Sequence, residues 1–353
     1  MYKKKCSRNP SLKHLNTFAI DITAKKIVFV TTIQQLIEIS KKCKLYNIPY
    51  IILGEASNIL FLQNYTGVVI FNRIKGIKII EQHDSWLLHV SSGEKWHNLV
   101  KLTLNLGIFG LENLAFIPGY IGSAAIQNIG AYGLEFKDIC QYVEILSLKN
   151  CTKMKIYKKF CQFSYRNSIF KYKYENEYAI IKVGIKILKN WKPIILSSMK
   201  HYIQKKNINA YQIFNIICKI RKNKLPDPKK TGNAGSFFKN PIITQKKLKK
   251  LISLYKSIPY FPQKNSLVKI SAGWLIDNYK FNNIHIGDAS IYQKQKLILI
   301  NKKNATPQDI IQLAKIIHSC ILNKFHISLE PEIDFIGAFG KIKSLDVLNH
   351  KVY

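Results

Sequence analysis

Of the 353 residues, 47% are hydrophobic and 21% charged, a balance that excludes a disordered or fibrous chain and supplies apolar material for two or three cores. The formal charge of +35 would ordinarily put nucleic acid or an anionic membrane first among partners. Only Arg8, Arg73, Arg166 and Arg221 are arginines, however, so the charge is diffuse lysine and lacks the guanidinium forks that grip phosphates bidentately.

The first predicted element is a helix over 32–46, where Thr32 and Gln35 make a capping box and Ile33, Leu36, Ile37 and Ser40 share a face. A buried strand over 48–53 follows, then a turn, Gly54-Glu55-Ala56-Ser57-Asn58. A second helix is predicted over 94–106, with Gly107 as its stop. From 110 to 133 the chain is rich in Gly, Ala, Ser and Asn and reads as one long loop, a kind that is usually functional when ordered. Short β segments are expected over 143–188, and a helix over 210–222 that Leu225-Pro226-Asp227-Pro228 ends, a natural domain boundary. Late in the chain, Thr306, Pro307 and Asp309 open an amphipathic helix carrying Ile310, Leu313, Ala314, Ile317, Ile321 and Leu322. Taken alone, this pattern specifies a mixed α/β fold.

Neither a Gly-x-Gly-x-x-Gly after a strand nor a P-loop occurs. Two other glycine-bearing loops, 54–58 and 118–125, have backbone N–H groups suited to a pyrophosphate nest, with Ser57, Asn58 and Ser123 as further donors. The most specific string is Gly232-Asn233-Ala234-Gly235-Ser236-Phe237-Phe238-Lys239-Asn240-Pro241. Its glycines allow close approach to a ligand, Ser236 presents a hydroxyl, and the two phenylalanines anchor the loop. Lys239 and Asn240 offer a cation and an amide to an anionic substrate. The seven cysteines are odd in number and contain no Cys-x-x-Cys pair, so free thiols in a reducing compartment are expected, with no metal. The basic 1–6 segment is followed by no apolar stretch, and no run approaches the ~18 apolar residues of a membrane span. A cytoplasmic protein with no membrane partner is the expectation.

The Ser236 string resembles the catalytic serine motif of the UDP-N-acetylenolpyruvoylglucosamine reductases. Further landmarks similar to that family's occur in its order: Asn16-Thr17-Phe18, 53–58, 110–114, Ile117-Pro118-Gly119, 127–133, Tyr165-Arg166-Asn167-Ser168, 224–228, 272–276 and Leu329-Glu330-Pro331-Glu332. The resemblance implies a three-domain α/β (α+β) flavoprotein with a vanillyl-alcohol-oxidase type of FAD-binding fold and a C-terminal α/β substrate domain. The corresponding divisions are 1–75 and 76–222 for the two FAD-binding subdomains and 223–353 for the substrate domain. It also implies noncovalent FAD, NADPH as co-substrate, and reduction of UDP-N-acetylglucosamine enolpyruvate to UDP-N-acetylmuramate by a monomer without nucleic acid.

In the implied mechanism, hydride adds to C3 of the enolpyruvyl ether, negative charge spreads onto the carboxylate, and C2 takes a proton. Arg166 would grip the carboxylate, Glu332, if held protonated, would donate a hydrogen bond to it, and Ser236 would deliver the proton. Glu330 competes for the role of Glu332. Tyr165, Lys224, Asn240 and Gln295 match substrate positions, and Gly54, Ser57, Asn58, Pro118, Gly119, Gly122, Ser123, Asn128 and Gly130 match cofactor positions. Ala56 and Ala125 depart from the family's usual glycine and proline, which puts loop rigidity in doubt. Ser197 stands where a lid tyrosine is expected, with Tyr202 nearby as a substitute. A basic nucleic-acid-binding protein and a flavin oxidase of another substrate stay open as alternatives at this point.

Overall fold

The computed structural model describes residues 9–175, 177–203, 208–255, 257–281 and 284–349; Cys6 and Arg8 lie outside them. The chain divides into two compact units, each made of separated segments. One holds Lys26–Glu55 and Gly67–Asn223; the other holds the chain up to Lys25, Ala56–Thr66 and the chain from Lys224 onward.

In the first unit, strands Ala24–Val30, Tyr65–Asn72 and Tyr50–Leu53 form a sheet in that order, with Tyr50–Leu53 parallel to Tyr65–Asn72. Helix Ile33–Leu45 packs Leu36, Ser40 and Cys43 inward and starts as predicted, with Thr32 accepting from Gln35 N and the Gln35 side chain accepting from Thr32 N. A five-stranded antiparallel sheet runs in the order Lys153–Tyr157, Cys140–Ser147, Tyr178–Leu188, Ser85–Ser91, Ile77–Glu81. Its two faces feed separate cores. Val143, Ile145, Val183 and Ile185 pack with Trp96, Leu99 and Ile213, whereas Leu146, Ala179 and Ile181 pack with Val30, Leu36 and Val68. Residues 179, 181 and 183 would share one face of a regular strand. A bulge between Ile180 and Lys182 inserts one residue and turns the later ones to the other core.

The stretch from 110 to 133 is not one loop. It contains a short helix, Ile121–Ile126, and a 3-10 turn, Glu112–Leu114. The small residues that argue for a loop in the sequence are there for packing: Ala124 and Ala125 are buried, and a Cβ on Gly122 would lie 2.9 Å from Ser92 Cβ. The second helix begins at Trp96, two residues later than predicted, because Glu94 turns aside to accept from Gly76 N at 2.9 Å and to pair with Lys75.

In the second unit a four-stranded sheet runs Gly232–Ser236, Ile298–Asn301, Ala289–Ile291, His285–Ile286, backed by helix Pro307–Phe325. That helix has the predicted Thr306 cap and Pro307 start. A second sheet joins Ile242–Thr244, Leu267–Ile270 and Tyr260–Pro262. A third pairs Ile59–Phe61 in parallel with Asp334–Ile336, residues far apart in the chain. Among the described residues no helix is long and apolar enough to cross a membrane, and no cluster of His, Cys, Asp and Glu has metal-binding geometry. The described cysteines are free.

Candidate functional site

The glycine loops of the first unit meet beyond the carboxyl ends of strands. Parallel strands Tyr50–Leu53 and Tyr65–Asn72 deliver Gly54 and Arg73, and Ser85–Ser91 delivers Ser92 and Gly93. Such ends are where open α/β sheets bind ligands. Glu55 accepts the Gly119 N–H at 2.7 Å, Gly122 N donates to Ser92 O at 3.0 Å, and Trp96 N donates to Gly119 O at 3.0 Å. Tyr120 N and Ser123 Oγ lie 3.3 Å apart, and the Ser123 hydroxyl donates to Tyr120 O at 2.7 Å. The result is a backbone cradle of Gly, Ser and Tyr residues. Lys95 pairs with Glu55 at 3.6 Å and neutralises its carboxylate. These hydrogen bonds spend the named N–H groups on holding the Gly54–Glu55 turn and the Gly119–Ser123 segment together at the strand ends, and glycine loops so placed, with Lys95 and Arg73 beside them, fit the pyrophosphate of FAD.

In the other unit, Ala56 adopts a left-handed φ of 51°. Asn58 is tied to the candidate catalytic residues: its side chain donates to Glu332 O at 3.2 Å, and its carbonyl accepts from Asp334 N at 3.0 Å.

Arg166 lies in a four-residue turn closed by Asn167 N to Ser164 O at 3.2 Å and Ser164 N to Asn167 O at 3.0 Å. It occupies the third position with φ 54°, a conformation that costs a non-glycine residue about 1–2 kcal/mol and marks functional turns. Its Nη1 donates to Gly130 O at 3.3 Å, and the guanidinium carbon is 5.6 Å from the Tyr165 ring centroid. Asn128 braces this turn. Its amide donates to Ser164 O and Glu135, both at 3.0 Å, and accepts from Lys137 N at 2.9 Å, so the side chain is fully spent on protein partners. Ser168, completely buried, donates to Ile126 O at 2.7 Å and fixes the far end of the motif. Pro118 is exposed, while Gly119 and Gly122 are buried in the cradle.

Four residues that no motif marks complete this unit. Phe116, with φ 59°, is held on both sides: its N–H donates to His97 Nδ1 at 3.0 Å, and its carbonyl accepts from Arg221 Nε at 3.1 Å. His97 stacks on Phe214, 5.7 Å between centroids. Burial first, then Lys101, Lys222 and Arg221, push the His97 pKa down to about 4, so the ring is neutral and carries its proton on Nε2. Arg73 is the fourth. No motif marks it, His97 or Arg221, because their partners are distant in sequence.

The lid expectation rests on a tethered segment. Trp191 Nε1 donates to Glu112, and Asn113 donates to Ile194 O at 3.0 Å, after which Ser197 is exposed and Tyr202 is 40% exposed.

Ser236 ends the edge strand Gly232–Ser236, where pairing slips between Asn233 and Ser236. Gly235, at φ 73°, makes that slip possible, and the bulge re-aims the serine that follows. Phe237 and Phe238 are buried as anchors, 5.0 Å between centroids. Glu332 N donates to Phe237 O at 2.7 Å, which sets the half-buried glutamate one residue from Ser236 across a backbone bond. Glu330 is exposed and pairs with Lys239 at 3.3 Å, whereas Glu332 is half-buried. Asn240 Oδ1 accepts from Ala272 N at 3.0 Å, and Gln295 Oε1 lies 3.3 Å from the place of a Cβ on Gly273. Both therefore sit at the start of helix Ala272–Tyr279. Lys224 is exposed at the end of helix Ala210–Lys224.

Comparison with known proteins identifies the family. A family model described as an FAD binding domain matches residues 24–151, and one described as the C-terminal domain of UDP-N-acetylenolpyruvoylglucosamine reductase matches residues 227–336. The UDP-N-acetylenolpyruvoylglucosamine reductase of Buchnera aphidicola subsp. Acyrthosiphon pisum is 72% identical over 354 residues, covering 100% of this chain and 99% of that protein. That of Escherichia coli K12 is 45% identical over 341 residues, 97% of this chain and all of its own length. The crystal structure of the Thermus caldophilus enzyme superposes with a TM-score of 0.63 at 21% identity, covering 92% of this chain and 96% of that one, and shares the fold. With landmarks, fold and full-length identity in agreement, the chain belongs to the UDP-N-acetylenolpyruvoylglucosamine reductase family.

Proposed function

We propose that Arg166, Ser236 and Glu332 carry the reaction of this family in this chain, the reduction of UDP-N-acetylglucosamine enolpyruvate to UDP-N-acetylmuramate for peptidoglycan synthesis. The chain is an FAD-dependent oxidoreductase with NADPH as the electron source. The observation that carries this reading is the identity over the entire length with a reductase of that name.

Bound FAD, once reduced by NADPH, supplies the hydride that reaches C3 of the substrate. The chain's own residues manage the charge and the proton. Arg166 offers a planar guanidinium to the substrate carboxylate, and its strained turn, fixed by Asn128 and Gly130, holds that fork in one orientation. Ser236 gives a proton to C2 from a bulge that a buried aromatic pair keeps rigid. Glu332, set by Phe237 O and by Asn58, donates a hydrogen bond in its protonated, neutral form to the charge developing on the carboxylate. Tyr165, Lys224, Asn240 and Gln295 hold the diphosphate and sugar. Gly54, Ser57, Asn58, Pro118, Gly119, Gly122, Ser123, Asn128 and Gly130 form or brace the FAD loops.

The assignment of 1–75 and 76–222 to FAD and of 223–353 to substrate is part of the same reading. So are a monomeric state, a cytoplasmic location and the absence of membrane and nucleic-acid partners, the last supported by a basic composition with only four arginines. The test is direct: purify the full chain, record the flavin absorbance, bleach it anaerobically with NADPH, and add the enolpyruvyl sugar. Return of colour with formation of UDP-N-acetylmuramate supports the reading. A colourless protein, or a bleached one that the sugar does not reoxidise, refutes it.

A further inference from the structure

Arg73 joins the two glycine loops. Its Nη1 donates to Gly54 O at 2.8 Å and to Asn72 O at 3.0 Å. The same guanidinium carbon stands 4.5 Å from the Tyr120 ring centroid, 5.2 Å from that of Phe71 and 5.7 Å from that of Phe29. Tyr120 opens helix Ile121–Ile126 and also flanks the first loop, since a Cβ on Gly54 would lie 3.4 Å from Tyr120 Cδ2. One side chain therefore holds the first loop by a hydrogen bond and the second by a ring face. The Arg73 backbone is fixed as well. Its N–H donates to Val30 O at 2.8 Å, and a Cβ on Gly93 would fall 2.5 Å from its carbonyl carbon.

We infer that Arg73 is a positioning residue for FAD: it sets the spacing between the Gly54–Glu55 turn and the Gly119–Ser123 segment, and thereby the geometry of the amides that the pyrophosphate meets. This rests on the FAD reading above. A planar guanidinium is required because one flat group must donate in its plane to Gly54 O while its face covers Tyr120. A lysine ammonium keeps the charge but cannot do both at fixed geometry. Glu55 makes a second link between the same loops through Gly119 N, so removing Arg73 loosens their spacing without separating them.

The test compares parent, Arg73→Lys, Tyr120→Leu and the double variant as full-length holoenzymes, diluted serially to follow release of flavin by its fluorescence. Loss of the Arg73–Tyr120 stack, and in Arg73→Lys of the in-plane hydrogen bond to Gly54 O as well, should raise the FAD dissociation constant about tenfold in each single variant. The double variant should fall well short of the product of the two effects, because both remove one contact. Thermal unfolding with saturating FAD should return the single variants close to the parent. Dissociation constants within twofold of the parent overturn the inference, as do multiplicative effects in the double variant. A fall in melting temperature that persists at saturating FAD with unchanged affinity also overturns it and assigns Arg73 to general stability. A parent protein without flavin would instead defeat the FAD reading itself.

Discussion

His97 should make the stability of this protein depend on pH between its ordinary and its lowered pKa. The ring accepts a hydrogen bond from Phe116 N, so protonation at Nδ1 breaks that bond and places a cation among Lys101, Lys222 and Arg221. Its pKa is about 4 in the folded chain against an ordinary 6.5. Between those values the unfolded chain binds a proton that the folded chain refuses, so the neutral ring's contribution is complete above 6.5 and is lost as pH falls toward 4. The undiscounted linkage is about 3 kcal/mol; for a half-buried ring with solvent screening, about 1–2 kcal/mol is the expected size. His89 and His318 are shifted in the same direction by burial and add to the slope, so the measurement must be a difference. His97→Gln keeps an acceptor for Phe116 N and removes the titration. Urea unfolding of parent and variant with FAD at fixed concentration, at neutral pH and near pH 4.5, should show the parent losing about 1–2 kcal/mol more than the variant on acidification. Equal losses in both proteins would show that His97 is not held neutral by its surroundings.

Replacing Ser236 with Ala should leave reduction of the flavin by NADPH intact and slow reoxidation by the enolpyruvyl sugar roughly 10²–10⁴-fold, with Cys retaining more activity than Ala; stopped-flow measurement of each half-reaction decides, and equal slowing of both removes Ser236 from the proton-donor role. Arg166→Lys should impair turnover with substrate despite the conserved charge, since an ammonium cannot reproduce a planar two-bond grip; unchanged steady-state kinetics would make Arg166 peripheral. The FAD should be released by denaturation and filtration, because neither cofactor loop carries a His or Cys suited to tethering; colour remaining on the polypeptide is the contrary result. Ser197→Tyr should lower the Michaelis constant for substrate or NADPH by restoring an aromatic cover beyond the Trp191 and Asn113 anchors, with little effect on chemistry; unchanged constants for both ligands would end the lid interpretation.

The sequence by itself determined the features whose partners are a few residues away. Thr32 with Gln35, and Thr306 with Pro307 and Asp309, start helices because the capping bonds close within one turn, and those helices stand where the spacing puts them. The Ser236 string was legible for the same reason: Gly235 and the two phenylalanines act on their own neighbour, by backbone freedom and by burial. Composition misled between 110 and 133, where small residues read as loop. Only the tertiary structure shows that Gly122, Ala124 and Ala125 are small because the Ile121–Ile126 helix lies against Ser92 and a filled core. The same is true of the supports behind the site. Asn58 reaches Glu332 across 274 positions, Glu55 reaches Gly119 across 64, and Arg73 gathers Gly54 and Tyr120 from two separate loops. Hydrogen bonds and ring contacts of that kind depend on where folding brings the backbone. A side chain's identity fixes what it can bond, but the partner across the fold is set by the packing of sheets and helices around it.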